Sequence, residues 1–173
     1  VPQNRKRAFI LAIRNDIPTE GMVWPPVATH HKSGPNPWLT ASTVFERPPE
    51  DILNIFKERL IEKYHFPALA AEHCISGLNW GKPLVEDDPC NIKMKHSQEM
   101  LNLFAKTPRL GDRKESGRQL ACHVAHNGHK DVYGRIYPHT PSNTMTTGCY
   151  NPSKGRFVHP WLPHGISLRH AAR

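Results

Sequence analysis

The sequence predicts a mixed α+β fold in which long, irregular connections join a few short elements. Proline and glycine account for 17 and 11 of the 173 residues, and 38% of the residues are hydrophobic. Such a composition favours turns over long helices and strands. One short apolar run is typical of a buried strand, and several later segments carry apolar residues at helical spacing. The length suits one domain of ordinary size.

The predicted strand covers Arg7–Ile13, where a run of apolar side chains is flanked by charged residues. Residues 17–40 follow, and prolines interrupt this segment repeatedly. We predict that it forms a long irregular connection, because proline removes a backbone donor and favours turns. This connection separates the strand from the helices.

The first predicted helix begins after Pro49, with Glu50 and Asp51 in its first turn, where acidic side chains favour the helix dipole. Helical spacing gives it an apolar face formed by Ile52, Ile55, Phe56 and Leu60. A second short helix is predicted over Ala68–Ile75, closing near Gly77.

Two further helices are predicted from their capping residues. Ser97 can cap a helix that runs through Lys106, and Ser167 can cap one within Ile166–Arg173. Between them, Gly111–Gly117 is charged and bounded by glycines, so we predict a loop.

The segment His123–Cys149 mixes glycines with β-branched and aromatic residues, which predicts short strands. Within it, Asn127-Gly128 is typical of a type I′ hairpin turn. The same region holds a group of possible metal ligands, namely Cys122, His123, His126 and His129. Their spacing lacks the paired pattern of zinc sites, so we predict no metal.

The chain is strongly basic, with a net charge of +8 at pH 7 and a pI of about 9.5. A basic chain suits an anionic partner, of which nucleic acid is the simplest. A basic surface without a specific partner is the alternative.

The cysteines favour a reducing compartment, so we expect a cytoplasmic protein. Cys74, Cys90, Cys122 and Cys149 are scattered and include no Cys-x-x-Cys pair. No stretch approaches the ~20 apolar residues of a membrane helix, so no membrane partner is predicted. The N-terminus also lacks the pattern of a signal peptide. Because the chain starts at Val1 and stops inside a predicted helix, we expect both ends to be cuts in a longer protein.

Sequence blocks near both ends of the chain carry a family resemblance. They are Gln3–Arg7, His129–Ile136, Pro141–Thr147, Asn151–Pro160 and Gly165–Arg173. These blocks resemble, in chain order, motifs of the bacterial DNA cytosine-5 methyltransferases. The first is similar to Gln-x-Arg-x-Arg, the third to Pro-Ser-x-Thr-x-Thr, and the last to the final helix, Thr-x-Arg-Glu-Ala-Ala-Arg. The residues between the first two blocks have little similarity to the family's motifs, which is expected of the family's variable recognition region.

The chain departs from the family pattern at three places. Thr140 and His164 stand where arginine is common, and His170 stands where glutamate is common. We expect these changes to alter local contacts with DNA and with the cofactor side of the enzyme. They do not change the resemblance to the family.

The resemblance implies a division into three parts. Residues 1–17 would end a catalytic domain that uses S-adenosylmethionine and has a Rossmann-like α/β sheet. Residues 18–137 would form an irregular α+β target recognition domain, and residues 138–173 would return toward the catalytic domain.

The resemblance also implies roles for individual residues. Arg7 matches the arginine that reaches the flipped cytosine. The other residues that we expect to contact DNA are Gln3, Arg5, Arg135, Thr144, Thr146, Lys154 and Arg156. In particular, Lys154 and Arg156 flank Gly155 in a stretch that can offer cations and backbone N–H groups to phosphate.

The catalytic motifs of the family do not occur in this chain. The Gly-rich loop for S-adenosylmethionine, the nucleophilic cysteine of Pro-Cys-Gln and the glutamate of Glu-Asn-Val all precede the Gln-x-Arg-x-Arg motif in relatives. Cys90 follows Pro89 but has no glutamine after it, so we interpret it as a loop thiol.

The implied partners are double-stranded DNA and the missing N-terminal catalytic domain. A cut strand would leave an exposed edge, which predicts a homodimer through that edge. The implied function is DNA recognition for a cytosine-5 methyltransferase of a restriction–modification system, with no activity of the chain alone. Two alternatives stay open: a stand-alone DNA-binding module, and part of an RNA cytosine methyltransferase.

Overall fold

The computed structural model describes residues 8–117 and 131–173. Over this part, the α-helices are α1 (Glu50–Tyr64), α2 (Ala68–Ser76), α3 (Gln98–Lys106) and α4 (Leu168–Ala172), and short 3-10 helices cover Ala41–Val44, Arg113–Ser116 and Pro152–Lys154. The remaining described backbone is turns and irregular chain with isolated β-bridges. The helices confirm the helical part of the mixed α+β prediction, whereas residues 8–117 and 131–173 do not form the Rossmann-like sheet.

Helix α1 forms where the sequence predicts it. It begins after Pro49 and ends where His65 takes a left-handed backbone conformation, with φ of 56°. The buried face consists of Leu53, Phe56 and Leu60, whereas Ile55 is only half-buried. Helix α2 packs against this helix and ends at Ser76, as predicted.

Both predicted serine caps are confirmed. The Ser97 hydroxyl accepts a hydrogen bond from the backbone N–H of Met100, at 3.3 Å. At the start of α4, the Ser167 hydroxyl accepts from the N–H of His170, and the His170 Nδ1 accepts from the N–H of Ser167. His170 therefore performs the reciprocal capping that a glutamate performs in the usual capping box.

The segment predicted as a loop at 111–117 contains a short 3-10 helix. Asp112 and Glu115 form a capping box around it, which sequence inspection missed. Glu115 also pairs with Arg59 and Lys63 of α1. These contacts give the segment a fixed position on the first helix.

One hydrophobic core joins the middle and the end of the chain. Its members from residues 41–110 include Phe45, Phe56, Leu60 and Leu110, and its members from the C-terminal part are Ile136, Phe157, Trp161 and Ile166. These side chains are at most 6% exposed. The predicted boundary between residues 137 and 138 therefore does not coincide with a break in the core.

The strand predicted at the N-terminus is wrong for residues 8–13. These residues form no described strand, and Phe9 and Ile10 are 74% and 97% exposed. A strand needs a neighbour to satisfy its backbone groups, and no other described segment pairs with this one. The predicted dimerisation through a strand edge loses its structural basis for the same reason.

The strands predicted within 123–149 are not seen in its described residues either. Over 131–149, Arg135 and Ser142 form isolated β-bridges, and Arg135 pairs with Val158. Glycines and prolines keep this region in turns. Residues 17–40 form the irregular, exposed connection that their prolines predict.

Arg135 connects α3 to the C-terminal part of the chain. Its side chain is fully buried, and Nε donates to the Thr107 carbonyl at 2.8 Å. The two terminal nitrogens donate to the carbonyls of Phe104, His159 and Leu162. Burial, and then the charge of Arg109, lower the pKa of Arg135 to about 9, so the guanidinium remains mainly protonated at neutral pH. A cation at the end of α3 also complements the helix dipole.

Two histidines, the half-buried His139 and the buried His159, are neutral. His139 packs beside Tyr64 and Tyr137, and burial lowers its pKa to about 4. His159 packs edge-on against Phe45 with ring centroids 5.0 Å apart, and burial lowers its pKa well below the usual value. Protonation of either ring would place a charge in an apolar environment.

Arg135→Lys is expected to lower the free energy of unfolding by about 3 kcal/mol or more. The variant keeps the charge and loses the planar set of donors, and each buried carbonyl left without a donor costs about 1–3 kcal/mol. Urea unfolding measures the change. The matched control is Arg47→Lys in the exposed pair with Glu50, for which we expect less than about 0.5 kcal/mol. Equal effects of the two substitutions would contradict the role given to Arg135.

Acidification from pH 6.5 to 4 is expected to destabilise the protein. In this window the unfolded chain protonates His139, whose ordinary pKa is about 6.5, whereas the folded chain keeps it neutral down to about pH 4. The unfolded state thus binds more protons than the folded state. For each pH unit of acidification in this window, His139 lowers the free energy of unfolding by up to about 1.4 kcal/mol.

Urea midpoints at several pH values between 7 and 4.5 measure this slope. His139→Phe is expected to reduce the slope, to which His159 also contributes, and the same change at the exposed His30 serves as the control. A slope that His139→Phe leaves intact would assign the acid sensitivity to other groups.

Candidate nucleic-acid interface

A polar cleft of about 430 Å³ lies where three segments of the C-terminal part meet. Its lining residues are Asp131, Val132, Asn143, Thr144, Lys154, Gly155, Arg156 and Phe157. They come from three of the sequence blocks that carry the family resemblance. The cleft therefore brings together Thr144, Lys154 and Arg156, which the sequence had marked separately.

A short turn presents Lys154 at this cleft. The Asn151 side chain accepts a hydrogen bond from the N–H of Ser153 and caps the 3-10 helix Pro152–Lys154. At Gly155 the backbone lies close to the Phe157 ring, and a Cβ there would lie 2.7 Å from a ring carbon. Glycine thus permits the turn to pack on the buried Phe157 ring. Lys154, the residue before this glycine, is exposed to solvent.

Arg156 is buried in the wall of the cleft rather than exposed to solvent. One terminal nitrogen donates to the carbonyls of Gly111 and Arg135, each at 3.1 Å. The other donates to the Asp131 carboxylate at 3.1 Å, and the guanidinium stacks 4.3 Å from the centre of the Tyr137 ring. These contacts correct the interpretation of Arg156 as a phosphate ligand, because its donors are directed at the protein.

Asp131 and Asn143 form a polar pair at the same cleft. The Asn143 amide donates to the second carboxylate oxygen of Asp131 at 3.0 Å. The Asp131 side chain is 57% exposed, although Arg156 and Asn143 hold both of its oxygens. Sequence reasoning missed this pair, since nothing in the local pattern indicates that Asp131 meets residues 12 and 25 positions away.

The remaining predicted contacts differ in their accessibility. Thr144 is half-buried in the cleft wall, and Thr146 is exposed in the turn that follows it. Arg135 is buried and bonded to backbone carbonyls, so its donors do not face a phosphate.

Several predicted features lie outside the described residues. They are Gln3, Arg5 and Arg7, the group Cys122, His123, His126 and His129, and the Asn127-Gly128 turn. Their roles stay predictions.

A second polar cluster lies behind α4, where the ligand atoms of Glu46, His159 and His170 fall within 4.8 Å of one another. Nδ1 of His159 accepts the N–H of Leu162, and Nδ1 of His170 accepts the N–H of Ser167. Both rings therefore carry their proton on Nε2, and His170 directs this proton at Glu46, 3.4 Å away. The hydrogen bond from His170 lowers the pKa of Glu46. Since a metal would need bare Nε2 atoms, the geometry favours a hydrogen-bonded cluster.

Cys90 lies in an exposed turn beside α4. Its N–H donates to Asp88, and its carbonyl accepts the N–H of Arg169. The Arg169 guanidinium clamps the Asp88 carboxylate at 2.6 and 2.9 Å and lowers the pKa of Asp88 to about 2. This turn anchors the final helix, which agrees with the interpretation of Cys90 as a loop thiol.

Neither the polar cleft nor the apolar cavity beside α4 has the features expected of a pocket for S-adenosylmethionine. The apolar cavity beside α4, lined by Phe45, Met145 and Ala171 among others, measures about 40 Å³. Pockets for small molecules typically measure roughly 300 Å³ or more. The larger cleft is polar and lacks a Gly-rich turn after a strand.

Helices that are both long and apolar enough to cross a bilayer do not occur in residues 8–117 and 131–173.

The chain is similar in sequence to one part of a known methyltransferase. Over 93 residues, which cover 51% of the chain, it is 34% identical to the type II methyltransferase M1.BsuMI of Bacillus subtilis (strain 168). The match covers 21% of that protein, so the chain spans about a fifth of its relative's length. No family model and no solved structure matches the chain.

Proposed function

We propose that this chain is the target-recognising part of a DNA cytosine-5 methyltransferase from a restriction–modification system. The observation that carries the proposal is the meeting of three family-like blocks at one polar cleft, with Lys154 exposed at it and Thr144 in its wall. In such an enzyme the cleft would face duplex DNA. The net charge of +8 favours an anionic partner.

The similarity to M1.BsuMI supports a methyltransferase as the parent protein, and the order of the sequence blocks supports the cytosine-5 type. The target cytosine must leave the base stack before its ring can be attacked. In the proposed enzyme, residues that precede Gln3 would supply the thiolate that adds at C6 and would bind S-adenosylmethionine. Arg7 would contact the flipped cytosine, and the described cleft would hold the duplex.

The N-terminal segment offers a surface for the catalytic domain of the same protein. Its exposed apolar side chains are Phe9, Ile10, Leu11, Ile13, Ile17, Met22, Val23, Trp24, Val27, Trp38 and Leu39. Monomeric proteins rarely expose so many apolar side chains along one segment. We infer that the preceding part of the enzyme covers them.

Lys154→Gln is expected to weaken binding to duplex DNA and to reduce its salt dependence. Each phosphate contact contributes about −0.9 to the slope of log K against log salt, so the loss of one contact should reduce the slope by about 1. Fluorescence anisotropy with a labelled duplex at several salt concentrations measures both quantities.

The matched control is Lys106→Gln, since Lys106 is exposed at the end of α3 and does not line the cleft. If wild-type protein binds no duplex, or if its affinity does not depend on salt, the proposal fails. Tighter binding to structured RNA than to duplex DNA would favour the RNA methyltransferase alternative. A domain that reads the major groove of DNA should bind RNA helices poorly, because their narrow major groove excludes side chains.

In the parent protein, Arg7→Ala is expected to reduce methyl transfer at least tenfold while duplex binding changes little, since Arg7 would act on the flipped base. Incorporation of labelled methyl groups into DNA measures the first effect and anisotropy the second. The chain alone is expected to transfer none. Methyl transfer by the isolated chain would contradict the assignment of the nucleophile to the preceding part.

A further inference from the structure

We propose that Asp131 is a specificity-determining residue that accepts a hydrogen bond from the exocyclic amino group of a cytosine or adenine in the target site. This inference rests on the proposed function, because it requires the cleft to face duplex DNA. It assigns to Asp131 and Lys154 different tasks at the same cleft.

The chemistry of a carboxylate limits what Asp131 can contact on DNA. An ionised carboxylate only accepts hydrogen bonds, and it repels phosphate. The donors that DNA presents in the major groove are the N4 amino group of cytosine and the N6 amino group of adenine. A half-exposed aspartate at a DNA-facing cleft therefore suits a base edge and not the backbone.

The protein holds this carboxylate in one orientation. Arg156 donates to one oxygen and Asn143 to the other, at 3.1 and 3.0 Å. Arg156 is itself fixed by two carbonyls and by the Tyr137 ring, and a Cβ at Gly134 would lie 2.8 Å from its guanidinium. A carboxylate has about four acceptor sites, so each oxygen can accept a further donor from DNA without losing its support.

This arrangement meets the requirement for direct readout, which is a preformed acceptor on a fixed support. Lys154 differs, since it is exposed at the end of a short turn and carries a flexible charge. Phosphate contacts position a protein on DNA, and contacts with base edges select the sequence. Lys154 would position the protein on the phosphate backbone, and Asp131 would select the sequence.

The test is a selection of the 173-residue chain on duplexes with a randomised central stretch, followed by affinity measurements on the selected site. We expect wild-type protein to select cytosine or adenine at one position, and the base selected identifies the source of the amino group. Asp131→Ala, which removes the acceptor, is expected to weaken that preference roughly five- to tenfold. The salt slope should be unchanged, because no phosphate contact is lost.

A double-mutant cycle isolates the contact. The selected base is replaced by an analogue that lacks only the exocyclic amino group, and both duplexes are measured with wild-type and variant protein. Deletion of the amino group is expected to weaken wild-type binding roughly five- to tenfold and to leave variant binding unchanged. Lys154→Gln is the control, and it should retain the full loss on amino-group deletion. Asp131→Val replaces Asp131→Ala if the latter does not unfold cooperatively.

Three results are informative in different ways. If wild-type protein binds no duplex, the proposed function fails, and this inference with it. If it binds without preference for cytosine or adenine at any position, only the inference is overturned. Equal losses on amino-group deletion for wild-type protein and both Asp131 variants would also overturn it, because another group would then read the amine.

Discussion

The buried guanidinium of Arg135 is the interaction on which the rest of the described structure depends. It binds carbonyls at the end of α3 and carbonyls of residues 159 and 162, so one side chain joins segments that share no sheet. In a protein with few regular elements, backbone carbonyls need donors from elsewhere. A planar cation with five N–H groups can satisfy several of them at once. The buried charge therefore needs the carbonyls as acceptors, and the carbonyls need the guanidinium as a donor.

The candidate interface is built on this support. The Arg135 carbonyl accepts from Arg156, and Arg156 in turn orients Asp131 in the cleft. Two arginines that look in the sequence like DNA contacts thus form an internal layer, and the groups at the surface are Lys154 and Asp131. The layer explains how an irregular backbone can hold a polar side chain in a fixed orientation.

The predictions that succeeded depend on neighbouring residues. The caps at Ser97 and Ser167 are local, because a serine hydroxyl meets an N–H three residues later. The predictions that failed concern long-range contacts. A sequence does not state that residues 8–13 pair with no other described segment, nor that an arginine is buried. Glu46 and His170 are 124 positions apart, and their pairing leaves no local pattern.

Under the proposed function, the shared core has a consequence for the exchange of recognition regions between enzymes. Ile136 lies in the same core as Phe157 and Trp161, and Arg135 is bonded to residues on the far side of position 137. A hybrid joined at that position would combine two halves of one core from different parents, and their side-chain volumes would have to match. A natural or engineered exchange of specificity is therefore better served by a cassette that carries the whole segment from residue 41 through α4.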